Sequence, residues 1–132
     1  MEYKRGFENL EVWRIGRDLK KSVLELCKKF PKHELYSLTS QIKNSSRSIT
    51  ANIAEGYGRF HYQENIQFCR QSRGSLVETK DHIYTALDEN YITQSDFDMF
   101  TEKYDHCLKL LNGYIAYIES EKRKHIAKSE LA

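Results

Sequence analysis

Apolar residues recur along this chain at alternating steps of three and four, in four separate rows with polar stretches between them. The first row is Val12, Gly16, Leu19, Val23, Leu26 and Phe30, widened by Trp13 and Cys27. Such spacing holds one face of an α-helix toward a core, and predicts a helix from Asn9 to Phe30. Asn9 is placed to cap it, Glu11 suits its positive N-terminal pole, and Pro31 ends it. Arg14, Arg17, Lys20, Lys21, Lys28 and Lys29 fall on the opposite face. The second row, Leu35, Leu38, Ile42, Ser45, Ile49 and Ile53, predicts a helix over 34–55 with Gly56 as its left-handed stop. The third, Ile66, Cys69, Leu76, Ile83 and Leu87, predicts a helix from Tyr62 or Gln63 to Asn90, a residue type that tolerates the left-handed conformation. The fourth, Phe97, Phe100, Tyr104, Cys107, Leu111, Tyr114 and Ile118, opens at Ser95, where Ser95-x-x-Asp98 has the form of a capping box.

Short connections at 31–33, 57–61 and 91–94 make neighbouring helices antiparallel. The pattern therefore predicts an all-α fold, a left-handed, antiparallel up-down-up-down four-helix bundle over residues 1–118, and no strand pattern competes. Residues 119–132 form a polar tail expected to fray. Folding about the turn near Arg59 sets Ser45 and Ser46 level with Ser72 and Gly74, and folding about Pro31 sets Gly16 level with Ser48. Small residues at one height let helix backbones approach closely. The same register sets Glu78 level with Ser40 and Gln41, where a half-buried carboxylate needs a partner such as Gln41 or Lys43.

Composition narrows the class. A chain of 132 residues suits one domain with its own core. No apolar run approaches the roughly 20 residues needed to cross a bilayer, and the opening MEYKRGFENL lacks the apolar core of a signal peptide. A cytoplasmic protein is the expectation. Cys27, Cys69 and Cys107 form no C-x-x-C pair and stand among apolar neighbours, which predicts buried free thiols. The net charge of +2 hides an asymmetry. Through Lys80 there are fifteen Lys and Arg against nine Asp and Glu, and from Asp81 onward six against ten. Such lopsidedness suits a basic face for phosphate or an acidic partner, or ordinary solvated helix faces.

Little of this pattern carries covalent chemistry. EGYGRFH has the glycines of a phosphate loop but follows a helix C-terminus, the pole that repels anions, and lacks a Gly-Lys-Ser/Thr sequence. Arg59 and His61 do stand just before the third helix. Glu78-x-x-x-His82 and Glu102-x-x-x-His106 space Glu and His by four, whereas di-iron bundles need three and inward carboxylates on the other helices. Surface charge pairing fits them better, so no metal or other cofactor is implied. No His is spaced to activate the mid-helix serines. Tyr36, Tyr57, Tyr62, Tyr84 and Tyr117 fall off the apolar rows. Off-core aromatics favour an oligomer interface, with an RNA-stacking surface as the alternative.

The segments Phe7-x-x-Leu10-x-Val12-Trp13, Pro31-x-x-Glu34-x-Tyr36-x-Leu38-x-x-Gln41-Ile42, Ser48-Ile49-x-Ala51-Asn52-Ile53-Ala54-Glu55-Gly56-x-Gly58-Arg59, Arg73-Gly74-Ser75-Leu76-x-Glu78 and Tyr91-Ile92 together resemble a bacterial family. These are the four-helix-bundle proteins found as reading frames in intervening sequences of 23S ribosomal RNA genes, a family similar in fold to the accessory proteins of diversity-generating retroelements. The resemblance implies a small non-enzymatic bundle that assembles as a homo-oligomer, a pentamer by the retroelement likeness, with RNA or a reverse-transcriptase-like protein as partner. Asn44 stands where the family commonly has a basic residue, and Arg47 adds a charge one turn away. The expected RNA-binding set is Arg14, Arg17, Lys20, Lys21, Lys43, Arg47, Arg59, Arg70 and Arg73 on the first three helices. The competing expectation is a structural or protein-binding adaptor oligomer that makes no nucleic-acid contact.

Overall fold

The computed structural model describes residues 6–131. Among them lie four long α-helices and no strand: α1 (Glu11–Cys27), α2 (Leu38–Tyr57), α3 (Tyr62–Asp88) and α4 (Gln94–Leu131). Single 3-10 turns at Phe7–Asn9 and Lys32–Glu34 precede α1 and α2. Among the described residues each helix packs on its two neighbours and none on the helix diagonally opposite. The direction of packing is read from the bonds between helices. Lys29 reaches Asp96 while Ser22 meets Lys103, and Ser45 meets Thr79 while Ser72 meets Ile49. One number rises as its partner's falls, so α1 and α4, and α2 and α3, are antiparallel as expected.

The core follows the predicted rows closely. Val12, Leu19, Val23, Ile42, Ile49, Ile53, Ile66, Cys69, Leu76, Ile83, Phe100, Cys107 and Leu111 are all buried. Leu35 is not, being half exposed, because α2 begins only at Leu38 and Leu35 belongs to the turn before it. Ile115 joins the core and Tyr114 is only partly buried.

Other helix ends also depart from expectation. Leu10, not Asn9, flanks α1, since the chain first makes the 3-10 turn through Asn9. At the other end the chain tightens through short-range bonds from Lys28, Lys29 and Phe30 to carbonyls three residues back, reaching Pro31 as a narrowed last turn. Helix α4 is capped by Thr93 and Asp96, two residues ahead of the predicted box. The Asp96 amide donates to Thr93 Oγ1 (3.1 Å), and the Thr93 amide donates to Asp96 Oδ2 (3.0 Å). Asn90 takes the left-handed conformation with φ 62°, as its position predicted.

The largest correction concerns Gly56. No described glycine has positive φ, and α2 runs on through Gly56 to Tyr57. Gly56 is buried where α2 passes α3, so close that a Cβ there would lie 2.9 Å from Phe68 Cβ and 3.1 Å from the Asn65 carbonyl oxygen. The register of α2 against α3 also differs from expectation. Ser45 shares a 2.8 Å hydrogen bond with Thr79 rather than meeting Ser72. Ser72 instead donates to the Ile49 carbonyl at 2.6 Å. A serine hydroxyl that reaches a neighbouring helix's backbone shows how near the two helices lie, so the small-residue reading holds with different pairs. Gly16 packs against Thr50 and Ile49 rather than Ser48. Gly74 is open on its outer side, with no atom within 4 Å of where a Cβ would stand, and takes no part in the close packing.

Helix α4 continues past Glu119, exposed from Arg123 to Leu131. No helix of the described residues is long and apolar enough to cross a membrane.

Candidate nucleic-acid interface

The expected basic residues separate into three groups. The first lies along the α1–α2 flank. Trp13, Arg17, Lys20, Leu24 and Lys28 recur at four, three, four and four, which puts them on one side of α1. That side faces α2, because Lys20 Nζ donates to Thr50 Oγ1 (3.3 Å) and Leu24 and Lys28 border a groove with Lys43 and Arg47. The groove measures about 530 Å³ and has an apolar floor that includes Leu24, Cys27, Phe30 and Leu35. Lys28, Lys32, Lys43 and Arg47 line it, and no acidic residue does. Lys28 pairs with Glu25 at 2.8 Å in full solvent, a contact that holds little of its charge. Among the described residues Lys32, Lys43 and Arg47 have no ion pair. The nearest acid in sequence, Glu34, is turned away. Tyr91 donates its hydroxyl to Glu34 Oε2 at 2.7 Å, which holds the carboxyl below its ordinary range and pushes the phenol up to about 12.

The second group, Arg14 and Lys21, sits on the outward side of α1. Arg14 donates to the Glu8 carbonyl (2.8 Å) and to Asn9 Oδ1, so it closes the turn before α1. The third group lies across the bundle. Arg59 is held by Glu55 (2.6 Å) and Glu64 (3.6 Å) with its guanidinium over the Phe68 ring, Arg70 meets Glu119, and Arg73 donates to Asn112. These three bind α3 to its neighbours and share no surface with Lys43. Lys28 and Lys32, left out of the expected set, complete the groove. Lys28 was visible as the next step of the Trp13–Arg17–Lys20–Leu24 row, whereas Lys32 enters through the 3-10 turn, which no periodicity marks.

Other candidates resolve into structural roles. Glu78 is exposed and pairs with His82 at 3.2 Å instead of reaching Gln41 or Lys43, because the shifted register carries Thr79 inward in its place. Among the described residues no three His, Cys, Asp or Glu side chains gather as metal ligands would. All three cysteines are free and buried, and burial pushes each thiol up to about 11, against a smaller opposing pull from Lys43 on Cys27. Thiols so raised are poor nucleophiles at neutral pH. Of the off-row tyrosines, Tyr36 is 91% exposed and Tyr117 60%, with Tyr57, Tyr62 and Tyr84 also open to solvent.

The chain is thus a small all-α bundle with a cationic groove between its first two helices. Residues 8–113 match the 23S rRNA-intervening sequence protein family, and the chain belongs to that family. Its fold is shared by the crystal structure of a protein with unknown function from the S23 ribosomal protein family of Bacteroides thetaiotaomicron. The TM-score is 0.72 at 21% identity, over 79% of this chain and 97% of that one. No curated protein matches the chain.

Proposed function

We propose that this chain is a cytoplasmic, non-enzymatic binding protein that holds the phosphate backbone of RNA along the α1–α2 groove and works as a homo-oligomer. One observation carries the reading. Lys32, Lys43 and Arg47, free of ion pairs among the described residues, line one groove with Lys28, no acidic residue lines it, and Lys20 and Arg17 continue the same side of α1. The eleven helical steps from Arg17 to Lys28 extend about 16 Å, long enough to meet more than one phosphate of a strand. RNA is favoured over DNA by the family's description, which refers to 23S rRNA. The exposed tyrosines support assembly, with the pentamer and a reverse-transcriptase-like partner resting on the likeness to retroelement accessory proteins. A ring would repeat the groove around its axis and raise avidity without new contacts.

The test is fluorescence anisotropy of a labelled single-stranded RNA across a salt series, with light scattering for mass. Affinity should fall steeply with salt, and Lys43→Ala with Arg47→Ala should flatten the log–log slope by about 1.4, two contacts at roughly 0.7 each. Absence of retention at low salt, or retention indifferent to salt, would refute the reading and leave the adaptor oligomer. A monomer mass would refute the assembly alone.

A further inference from the structure

At the opposite end of α2 from the cationic groove, the α2–α3 turn and the far part of α4 enclose a pocket of about 210 Å³ walled by Tyr57, Phe60, Tyr62 and Tyr117. Phe60 is 95% exposed, and its ring meets that of its neighbour His61 edge to face at 5.3 Å. An aromatic held this far into water contributes nothing to the core, so its value lies in what it meets from outside.

The charged groups around the pocket each have a polar partner. Arg59 is engaged by Glu55 and Glu64, Glu121 by Lys124 at 3.3 Å, and Lys122 Nζ donates to Gln63 Oε1 at 2.6 Å. Carboxylates of Glu55, Glu64 and Glu121 stand beside these cations and oppose a phosphate here, whereas no acidic residue lines the groove at the other end. A flat, uncharged ring with polar edges finds aromatic faces to stack on, with His61 and Glu121 at the rim as hydrogen-bonding groups. The pocket also continues the basic flank of α1. Trp13 begins that flank and meets the Phe7 ring edge to face at 4.9 Å, and the adjoining Gly6 lies against the Tyr57 ring, where a Cβ would be 3.7 Å away.

We infer that this pocket takes an unpaired base of a nucleic-acid strand whose phosphates lie along the α1–α2 flank, an assignment that rests on the proposed role of the groove. The strand is single-stranded there, because only an unstacked base offers its face to protein aromatics. Charge then sets backbone affinity and the aromatics set the demand for a base.

The experiment compares two labelled twelve-nucleotide strands of equal charge, an oligouridylate and the same backbone with its central sugars abasic, against the full chain and Phe60→Ala/Tyr117→Ala. The intact chain should prefer the base-bearing strand by about tenfold or more, the scale of base–aromatic stacking. The double variant should lose that preference while its affinity for the abasic strand and its salt slope stay unchanged. Circular dichroism checks folding, and Phe60→Ala alone, at a nearly fully exposed position, replaces the double variant if that misfolds. Equal affinity of the intact chain for both strands, or a preference that survives the substitutions, would overturn the pocket and leave the groove standing. No binding of either strand at low salt would overturn both. A fall in oligomer mass with both strands weakened alike would overturn the pocket and assign its aromatics to contact between copies of this chain.

Discussion

Gly56 and Gly74 both lie inside helices, and the same substitution at each should move stability in opposite directions. In Gly56→Ala the new Cβ meets Asn65 Oδ1 at 2.6 Å, Phe68 Cβ at 2.9 Å and the Asn65 carbonyl oxygen at 3.1 Å. The first of these is a side-chain end, but it already accepts from Cys69 Sγ. The other two are fixed to the α3 backbone and cannot rotate away, so α3 must move. Overpacking of this kind costs about 1–3 kcal/mol, against roughly 1 kcal/mol returned by alanine's better helix propensity. The net expectation is a loss of up to about 2 kcal/mol. In Gly74→Ala the Cβ meets nothing within 4 Å, so only the propensity gain remains, about 0.5–1 kcal/mol of added stability. Because the chemical change is identical, unfolded-state effects largely cancel in the comparison. Thermal melting reads it directly, at roughly 3–5 °C per kcal/mol for a chain of this size. Gly56→Ala melting at or above the parent temperature would refute the close approach of α2 and α3. Gly74→Ala melting below it would show that this face is covered.

The buried Ser45–Thr79 bond predicts coupling: Ser45→Ala and Thr79→Val should each cost about 0.5–1.5 kcal/mol by removing the shared bond, the remaining hydroxyl keeping its own helix carbonyl (Ile42 for Ser45, Ser75 for Thr79), and together less than their sum. A double-mutant cycle by urea denaturation that returned simple additivity would show the hydroxyls to be independent. Asp96 is held below its ordinary range first by the Lys29 ammonium at 2.8 Å and then by the Thr93 amide. A carboxyl whose folded pKa is depressed stabilises fully above its unfolded value, about 3.9, and loses that contribution as pH falls through the folded value. Asp96→Asn should therefore cost about 0.5–2 kcal/mol at neutral pH, the scale of a helix cap, with the gap to the parent closing in acid. A gap independent of pH would refute the charge-based account.

The three-four rows carried nearly all of the architecture, because burial of one helix face is a property of spacing alone. The left-handed stop at Asn90 was legible for a similar reason, since few residue types take that conformation without strain. Gly56 was not, because a glycine before a turn has two physical uses, positive φ or close approach, and a single chain does not distinguish them until its neighbour is placed. The α2–α3 register was misread with it: α2 runs two residues further than expected, Ser45 finds Thr79, Ser72 finds a carbonyl, and Glu78 turns outward. The basic residues were legible as a set but not as a surface. Net charge counts Arg59, Arg70 and Arg73 equally with Lys43, yet the first three are occupied within the bundle.

The same glycine ties the fold to both candidate surfaces. Close approach at Gly56 lets α2 persist to Tyr57, so the turn to α3 spans only residues 58–61. A turn that short holds Tyr57, Phe60 and Tyr62 at one end of the bundle, against the Tyr117 face of α4. Had α2 stopped before Gly56, as a left-handed cap would require, Tyr57 would lie in a longer loop and the aromatic pocket would lose a wall. The cationic groove, set by the first turns of α2 against the end of α1, does not depend on that choice. Its charges and the pocket's rings are therefore separable by position as well as by chemistry, which is why salt and base content should report on them independently.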